Sequence, residues 1–331
     1  MTTASTRPAF AMIGIAGFIA ERHLRAIKDN NGDLVAAMDV ADSVGRIDSH
    51  FPKARFFTEF EVFDAHIQAL RRKGRQVNYV SICSPNYLHD SHIQFALRSG
   101  ATAICEKPLV LEPGQIDTLQ AMETSSGQRI ATILQLRLHP KIIELRDQIA
   151  ATPAGTMHAV DLTYITSRGQ WYYTSWKGNE AKSGGIATNI GVHFYDMLSF
   201  VFGPLKRNIV HHRAMDCASG YLEYEKARVR WFLSINVADV PKSAGAGQRT
   251  YRSITVDGKE IEFSEGFTDL HTGSYREIMA GRGFTLSDVR PSIETVAQIR
   301  TAAIDRTAGK LHPFLDSVLA SSGRYQDGYP L

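Results

Sequence analysis

The sequence has 331 residues, of which 44% are hydrophobic and 21% are charged, and its formal net charge is +3 at pH 7. This length is sufficient for two domains, and the composition is typical of a globular protein. The small net charge gives no indication of a nucleic-acid-binding surface, although mild positive charge suits a small anionic ligand.

The three cysteines, Cys83, Cys105 and Cys217, are widely spaced and odd in number. They form neither a disulfide framework nor a metal-site spacing, which favours a reducing cytoplasm, and we expect Cys83 and Cys105 to pack in strands. The apolar run at residues 9–20 resembles a short signal peptide, but it contains two glycines and is too short to span a membrane. We therefore predict a cytoplasmic protein with no metal site, no membrane segment and no nucleic-acid partner.

The first part of the chain alternates strand-like and helix-like segments. Strands are predicted at residues 10–14, 34–38, 77–83, 102–105 and 130–136, and helices at 20–30, 59–73, 87–99 and 112–126. Strands separated by helices pair in parallel, so this pattern predicts an α/β domain with a doubly wound sheet.

Beyond Pro140 the pattern changes to extended runs with few helices between them. Residues 157–166 alternate, further strands are predicted at 222–225, 228–237, 251–256 and 260–263, and helices at 189–202 and 291–307. Alternation with short turns such as Asp257-Gly258 predicts an α+β domain with a large, mostly antiparallel sheet. We place the domain boundary near residue 137, which gives domains of residues 1–136 and 137–331.

The segment GIAGFIA, residues 14–20, lies between the first predicted strand and the first predicted helix. A glycine-rich turn at this point lets backbone N–H groups and a helix N-terminus face a pyrophosphate. The match to the dinucleotide fingerprint is imperfect, because alanine and isoleucine take its second and third glycine positions, and a tight structural turn is the alternative. The predicted cofactor contacts in this loop are Gly14, Ala16, Gly17, Phe18 and Ile19.

Asp39 ends the second predicted strand, roughly twenty residues farther along the chain. A carboxylate at this position accepts hydrogen bonds from the adenosine ribose hydroxyls and repels a 2′-phosphate. Asp39 therefore favours NAD over NADP, with a plain turn residue as the alternative.

SPNYLH, residues 84–89, follows the predicted strand at 77–83. Loops at the carboxyl ends of parallel strands line the ligand crevice, so we predict that Ser84, Pro85, Asn86 and His89 contact the cofactor. Ser-Pro-Asn is also a common N-terminal helix cap, and the two roles are compatible.

Glu106 and Lys107 follow the predicted strand at 102–105, beside the same crevice, and Pro108 comes next. A buried charged pair adds little stability compared with an apolar pair, so its location favours a functional role. Pro108 would fix the backbone that carries Lys107, or it simply terminates the strand.

The segment GGIATNIGVHFYDML, residues 184–198, carries the candidate catalytic residues of the second half. Asn189 and His193 are four residues apart and would share one face of a helix. Gly191 between them lowers helix stability, which indicates close approach to another group. Asp196 could orient the imidazole of His193, although a single histidine on a helix is more often a packed core residue.

The glycine-rich turn, the tripeptide at 106–108 and the G-x-H-x-x-D segment at 191–196 together resemble the glucose-fructose oxidoreductase and inositol dehydrogenase (Gfo/Idh/MocA) family. Longer blocks, among them ICEKPLV, DLTYITSRGQWY and ATNIGVHFYDML, are similar to a branch that oxidises UDP-N-acetylglucosaminuronic acid at C3. The resemblance covers almost the whole chain and implies an N-terminal Rossmann domain followed by a domain for substrate binding and oligomerisation.

The resemblance also implies NAD as the oxidant, a homotetramer, and a place in making diacetamido uronic acid sugars for lipopolysaccharide O-antigen. Some members of the branch regenerate NAD by reducing 2-oxoglutarate, so UDP-N-acetylglucosaminuronic acid and 2-oxoglutarate are the expected small-molecule partners. A different sugar or an inositol as substrate, or a non-catalytic NAD-binding protein, are the alternatives.

Oxidation of a secondary alcohol needs a hydride acceptor and a base. A free lysine has a pKa of about 10.4 and a free histidine one of about 6.5, so histidine needs the smaller adjustment. We expect Lys107 to polarise the C3 hydroxyl and His193 to receive the proton, with the reverse assignment open. Glu106 is expected to position the lysine or touch the cofactor, and Lys107 is also an expected cofactor contact. Much of the family has aspartate where this chain has Asn189, so Asn189 is expected to bond the sugar without taking up a proton.

The resemblance extends to the groups expected around the ligands. Gln135 is expected to contact the cofactor. Guanidinium groups suit a diphosphate and a carboxylate, and aromatic rings suit a uracil or a sugar face. Surface cations and packed aromatic residues are the alternative interpretation. The predicted substrate-binding residues are Arg137, Tyr164, Arg168, Trp171, Tyr172, Lys177, Asn189 and His193.

Overall fold

The computed structural model describes residues 7–245, 247–261 and 269–320. Contacts divide these residues into two compact units, one made of residues 7–140 and 269–293 and the other of the remaining described residues. The prediction assigned all of 137–331 to a second domain, whereas residues 269–293 group with the first unit. Within the described ranges, no helix is both long and apolar enough to cross a membrane.

The first unit contains a six-stranded parallel sheet. Its strands are β1 (Ala9–Ile13), β2 (Asp33–Met38), β3 (Arg55–Phe57), β4 (Tyr79–Ile82), β5 (Thr102–Cys105) and β6 (Ile130–Thr132). Their order in the sheet is β3-β2-β1-β4-β5-β6, and every pairing is parallel. The strand order reverses between β1 and β4, which confirms the predicted doubly wound sheet and places a ligand crevice beyond the carboxyl ends of these strands.

Helices follow the strands of the first unit, as the alternation predicted. They are α1 (Ala20–Asp29), α2 (Arg46–His50), α3 (Phe60–Arg72), α4 (His89–Arg98) and α5 (Pro113–Ser126). Strand β3 was not predicted, because it has only three residues. The strand predicted at 130–136 ends at Thr132 and is followed by a 3₁₀ turn at Gln135–Leu138.

The second unit contains a six-stranded mixed sheet. Its strands are β7 (His158–Thr166), β8 (Leu205–Arg213), β9 (Cys217–Tyr224), β10 (Ala227–Ser234), β11 (Thr250–Val256) and β12 (Lys259–Glu260). The order is β12-β11-β7-β10-β9-β8; β7 and β10 pair in parallel and the other four pairings are antiparallel. The prediction of a mostly antiparallel sheet is confirmed.

The turn between β11 and β12 has the predicted form. Asp257 and Gly258 separate the paired residues Val256 and Lys259, and both have positive φ, 51° and 79°. Such a two-residue loop suits the twist of a hairpin. The last strand predicted, at 260–263, is described only to residue 261, and residues 262 and 263 lie outside the described ranges.

The helix predicted at 189–202 is interrupted. The helices of this region are α6 (Pro140–Ala150), α7 (Trp171–Thr174), α8 (Glu180–Ser183), α9 (Gly185–Asn189) and α10 (Val192–Phe202). A Cβ at Gly191, between α9 and α10, would lie 2.5 Å from the Ala187 carbonyl oxygen and 2.6 Å from Leu233 Cδ1. The close approach expected at Gly191 is confirmed, but Asn189 ends α9 and His193 lies in α10, so they do not lie on one continuous helix.

Three helices complete the described chain: α11 (Leu270–Met279), α12 (Leu286–Thr301) and α13 (Pro313–Ala320). Helix α12 begins before the predicted start at residue 291 and contains Pro291. Helix α11 packs on α1, and its Tyr275 and Ile278 join the apolar core of the parallel sheet with Phe10 and Leu24. This burial of apolar area explains why residues 269–293 belong to the first unit.

Candidate functional site

The glycine-rich turn brings the ends of three strands of the first unit together. Gly14 has φ +86°, and a Cβ there would lie 2.5 Å from the carbonyl carbon of Cys83, so only glycine fits at this position. The Ala16 N–H donates to Asp39 Oδ2 at 2.8 Å, which ties the turn to the end of β2. The predicted loop and Asp39 are therefore in direct contact.

The turn leaves donors open for an anion. Within the described part of the chain, the backbone N–H groups of Phe18 and Ile19 have no hydrogen-bond partner, and they lie directly before α1. A pyrophosphate accepts such donors at a helix N-terminus. The Phe18 side chain is 92% exposed, so it forms no part of the core. These features fit the dinucleotide expected here.

The Asp39 carboxylate can accept hydrogen bonds from ribose hydroxyl groups. Its Oδ1 accepts from the Ala41 N–H at 3.0 Å, while Oδ2 accepts from Ala16. A carboxylate offers about four acceptor positions, so each oxygen can accept a further hydrogen bond from a hydroxyl. The same negative charge opposes a 2′-phosphate, as the sequence predicted.

The loop after β4 is held by two buried histidines. Ser84 Oγ lies 2.8 Å from His92 Nδ1, and His89 lies between two carbonyl oxygens, that of Pro108 at 2.7 Å from Nδ1 and that of Ser84 at 2.8 Å from Nε2. The cap interpretation of Ser84 is wrong, because its hydroxyl contacts the His92 ring and the turn has no side-chain cap. His89 connects the loops after β4 and β5, and burial lowers its pKa despite those carbonyl contacts. Asn86 is buried in the same turn, next to Pro85.

Gln135 begins the 3₁₀ turn after β6. Its Oε1 is buried and has no hydrogen-bond partner among the described residues. A buried acceptor without a partner costs stability, so such groups usually meet a ligand or water. The prediction that Gln135 contacts the cofactor is consistent with this open acceptor.

Glu106 lies in a buried network that the sequence analysis missed. Its Oε1 accepts from His23 Nε2 and from His271 Nε2, each at 2.9 Å, and its side chain is 8% exposed. His23 Nδ1 lies 2.7 Å from the Tyr275 hydroxyl, which lies 2.6 Å from Ser81 Oγ. A buried carboxylate needs hydrogen-bond donors, so a buried Glu106 could be expected to have partners. The sequence does not indicate that these partners are His23 and His271.

Two imidazole donors and an ionised carboxylate satisfy this network. Burial alone would raise the pKa of Glu106, but the hydrogen bonds from His23 and His271 outweigh it and hold that pKa well below its usual range. Burial lowers the pKa of His23 and outweighs the opposing effect of Glu106. A tautomer with hydrogen on Nε2 then lets each imidazole donate to Glu106 while the Tyr275 hydroxyl donates to His23 Nδ1.

Lys107 follows this carboxylate directly. It is partly buried, its backbone N–H lies 3.2 Å from Glu106 Oε2, and its peptide bond to Pro108 is cis. On the other side of that bond, the carbonyl oxygen of Pro108 lies 2.7 Å from His89 Nδ1. The backbone that carries Lys107 is therefore fixed from both sides.

In the second unit, Asn189 is joined to an aromatic residue predicted with it. Its Nδ2 donates to the Tyr172 hydroxyl at 2.9 Å. Burial raises the pKa of Tyr172, so this hydroxyl stays protonated. His193 is partly buried on the first turn of α10, which begins after Gly191.

The remaining predicted substrate residues differ in surroundings. Arg168 and Trp171 are exposed after β7, while Tyr164 lies on that strand between Phe194 and Arg252. Lys177 is partly buried over the Trp176 ring, and burial followed by the charge of Arg168 lowers its pKa.

Arg137 lies in the first unit rather than at the opening of the second. Its guanidinium donates to Asp288 Oδ1 at 3.1 Å and to the Asp288 carbonyl at 2.8 Å, and it lies over the Phe284 ring. These contacts support a structural role in holding residues 269–293 to the parallel-sheet unit. Its contact with a substrate stays a prediction.

Comparison with known proteins identifies the family. The model of the oxidoreductase family GFO_IDH_MocA for its NAD-binding Rossmann fold matches residues 9–133, and the model for its C-terminal alpha/beta domain matches residues 146–283. The chain belongs to the Gfo/Idh/MocA oxidoreductase family. The resemblance stated from the motifs is confirmed, and residues 9–133 form the NAD-binding Rossmann domain of that family.

Solved structures of the Gfo/Idh/MocA family include close relatives. The chain is 51% identical to the WlbA (WbpB) dehydrogenase of Thermus thermophilus in complex with NAD and alpha-ketoglutarate, with a TM-score of 0.89 over 93% of this chain and 99% of that one. A structure of the Thermus enzyme with NAD and UDP-GlcNAcA is 50% identical, with the same coverage and TM-score. WlbA of Bordetella pertussis, at 18% identity and TM-score 0.73 over 90% of this chain and 96% of that one, shares the fold.

Curated relatives are more distant. A putative UDP-kanosamine synthase oxidoreductase subunit of Amycolatopsis mediterranei is 30% identical over 60% of this chain and 52% of its own length. D-glucoside 3-dehydrogenase of Escherichia coli is 27% identical over 40% of this chain and 38% of its own length. The chain spans about half or less of the length of these relatives.

Proposed function

We propose that the protein oxidises the C3 hydroxyl of UDP-N-acetylglucosaminuronic acid to a ketone, with NAD as the hydride acceptor. The observation that carries the proposal is the 50% identity, across 99% of its length, to a Thermus dehydrogenase solved with NAD and UDP-GlcNAcA. The open N–H groups of the glycine-rich turn and the Asp39 carboxylate fit the cofactor.

The reaction removes a hydride from C3 and a proton from its hydroxyl oxygen, so that a C=O bond forms. Bound NAD supplies the acceptor for the hydride. The protein must supply a cation for the developing oxyanion and a base for the proton. We assign these roles to Lys107 and His193 respectively, and we assign to Asn189 a hydrogen bond to the sugar.

The network behind Lys107 supports its role. Glu106 accepts from two imidazoles with one oxygen and approaches the Lys107 backbone N–H with the other. This arrangement fixes the start of the side chain that must reach the C3 hydroxyl. Orientation of a catalytic group before the substrate arrives lowers the entropic cost of reaction.

The experiment is direct. The purified protein is incubated with NAD and UDP-N-acetylglucosaminuronic acid, NADH is followed by absorbance, and the sugar product is identified by mass spectrometry. We expect a product two mass units lighter than the substrate, about the mass of the two hydrogens removed. Equal or better turnover of free glucosides or inositols would instead assign the chain to another sugar dehydrogenase activity of its family.

We propose 2-oxoglutarate as the compound that reoxidises bound NADH. Support comes from the Thermus structure with NAD and alpha-ketoglutarate. A parallel incubation with 2-oxoglutarate should raise the yield of keto sugar and form 2-hydroxyglutarate in equal amount. We also propose a homotetramer and a cytoplasmic location, which light scattering and cell fractionation test.

A further inference from the structure

We propose that Arg213 and Arg300, together with Lys177, bind the diphosphate of the nucleotide sugar in a cavity of the second unit. This inference rests on the proposed function for the identity of the ligand. Neither arginine was assigned a role from the sequence. The cavity has a volume of about 220 Å³ and is lined by all three cations.

The charge of the cavity matches a diphosphate. The lining includes three basic side chains, those of Lys177, Arg213 and Arg300, and one acidic side chain, that of Glu180. The diphosphate of a nucleotide sugar carries about two negative charges, whereas the uronic carboxylate carries one. Guanidinium groups bind phosphate oxygens through paired hydrogen bonds, so two arginines and a lysine suit a diphosphate better than a single carboxylate.

The two arginines are brought together by the fold. Arg213 ends β8, and its Nη1 donates to the carbonyl oxygens of Ile299 at 2.8 Å and Ala302 at 2.9 Å, on either side of Arg300. A guanidinium has five N–H donors, so this anchor leaves others for a ligand. Arg213 and Arg300 both line the cavity, and this anchor holds the end of β8 beside the end of α12.

The cavity wall reaches the residue proposed to bond the sugar. Tyr172 lines the cavity, and its hydroxyl accepts from Asn189 Nδ2 at 2.9 Å. A ligand whose sugar contacts Asn189 can extend past Tyr172 toward the cations. Lys177 also lines the cavity, with its Nζ 3.9 Å from the centre of the Trp176 ring.

The test measures UDP binding to the whole protein by calorimetry, because UDP has the diphosphate but no carboxylate. Arg300→Met should weaken UDP binding by about tenfold or more, since it removes a charge-assisted contact. The same variant should raise the KM for UDP-N-acetylglucosaminuronic acid by a similar factor and change kcat by less than about twofold. Lys177→Met should act in the same direction.

The controls separate binding from folding. Arg207→Met removes an exposed arginine from the same strand as Arg213 but outside the cavity, and it should leave UDP affinity unchanged. Arg213→Met also removes the bonds to Ile299 and Ala302, so its melting temperature must be compared with that of Arg213→Lys. Arg300→Met, whose charge lies beside that anchor, carries the test if Arg213 variants do not fold.

Two results would overturn the proposal. One is unchanged UDP affinity in both Arg300→Met and Lys177→Met, or no UDP binding by the wild type. The other is unchanged UDP affinity with a reduced preference for the uronate over UDP-N-acetylglucosamine, which would place the carboxylate in the cavity. If the wild type binds UDP through these cations but oxidises no UDP-uronate, the cavity assignment stands and the proposed function fails.

Discussion

Replacing His271 by leucine removes one of two imidazole donors from the buried Glu106 carboxylate. The lost bond joins His271 Nε2 to Glu106 Oε1 at 2.9 Å, and Nδ1 of the same ring has no hydrogen-bond partner in the described part of the chain. A hydrogen bond to a charged group contributes about 1.5–3 kcal/mol. His23 still donates to Glu106, so we expect a loss near the middle of this range, about 2 kcal/mol.

His271→Gln provides a matched comparison. The amide nitrogen of glutamine can occupy the position of the imidazole Nε2 and donate to Glu106, so this variant should recover more than half of the loss. Urea unfolding followed by circular dichroism measures the stability of both variants. Hydrogen exchange of the β5 amides assigns the change to the first unit, because multidomain chains need not unfold in one step.

The pH dependence gives a second measure. The pKa of Glu106 is lower in the folded protein than the ordinary value of 4.5, so its contribution is complete above about pH 4.5 and is lost as the pH falls toward the folded value. The difference between wild type and His271→Leu should therefore be full at pH 7 and shrink in acid. A leucine variant as stable as the wild type at pH 7, or a glutamine variant no better than leucine, would refute this account of the network.

Three further changes test other parts of the site. Lys107→Met should abolish NADH production while NAD affinity by calorimetry stays within about twofold of the wild type, and near-normal turnover would remove Lys107 from the mechanism. Asp39→Asn keeps an acceptor oxygen for Ala16 but removes the charge, so the preference for NAD over NADP in kcat/KM should fall by about tenfold. His92 has a pKa of about 4 against 6.5 when unfolded, because burial opposes its charged form; the wild type should therefore lose roughly 2 kcal/mol more unfolding free energy than His92→Phe between pH 7 and pH 5.

Local patterns predicted the sheet topology and the meeting of the glycine-rich turn with Asp39. In a doubly wound sheet, the loop after each parallel strand reaches the same edge, so a strand pattern is enough to place Gly14, Asp39, Ser84 and Lys107 near one another. The Asp257-Gly258 turn could also be predicted from the local sequence, because a two-residue turn with positive φ at both positions favours Asn, Asp and Gly. Non-local packing decided what these patterns missed. The close packing of Gly191 against Leu233 joins α9 and α10 to β10, and no periodicity within residues 184–198 reveals it.

The partners of the charged residues lie far away along the chain. Glu106 is 83 residues from His23 and 165 residues from His271, and Arg213 is 86 residues from the carbonyl that anchors it. The sequence indicates that a buried charge needs a hydrogen-bonding or oppositely charged partner, but it does not indicate which residue that is. The interaction energy of the charge depends on which groups the fold places within about 3 Å of it. The cofactor loops follow from the order of the strands, whereas the diphosphate site proposed for the second unit depends on side chains that meet only when the end of β8 contacts the end of α12.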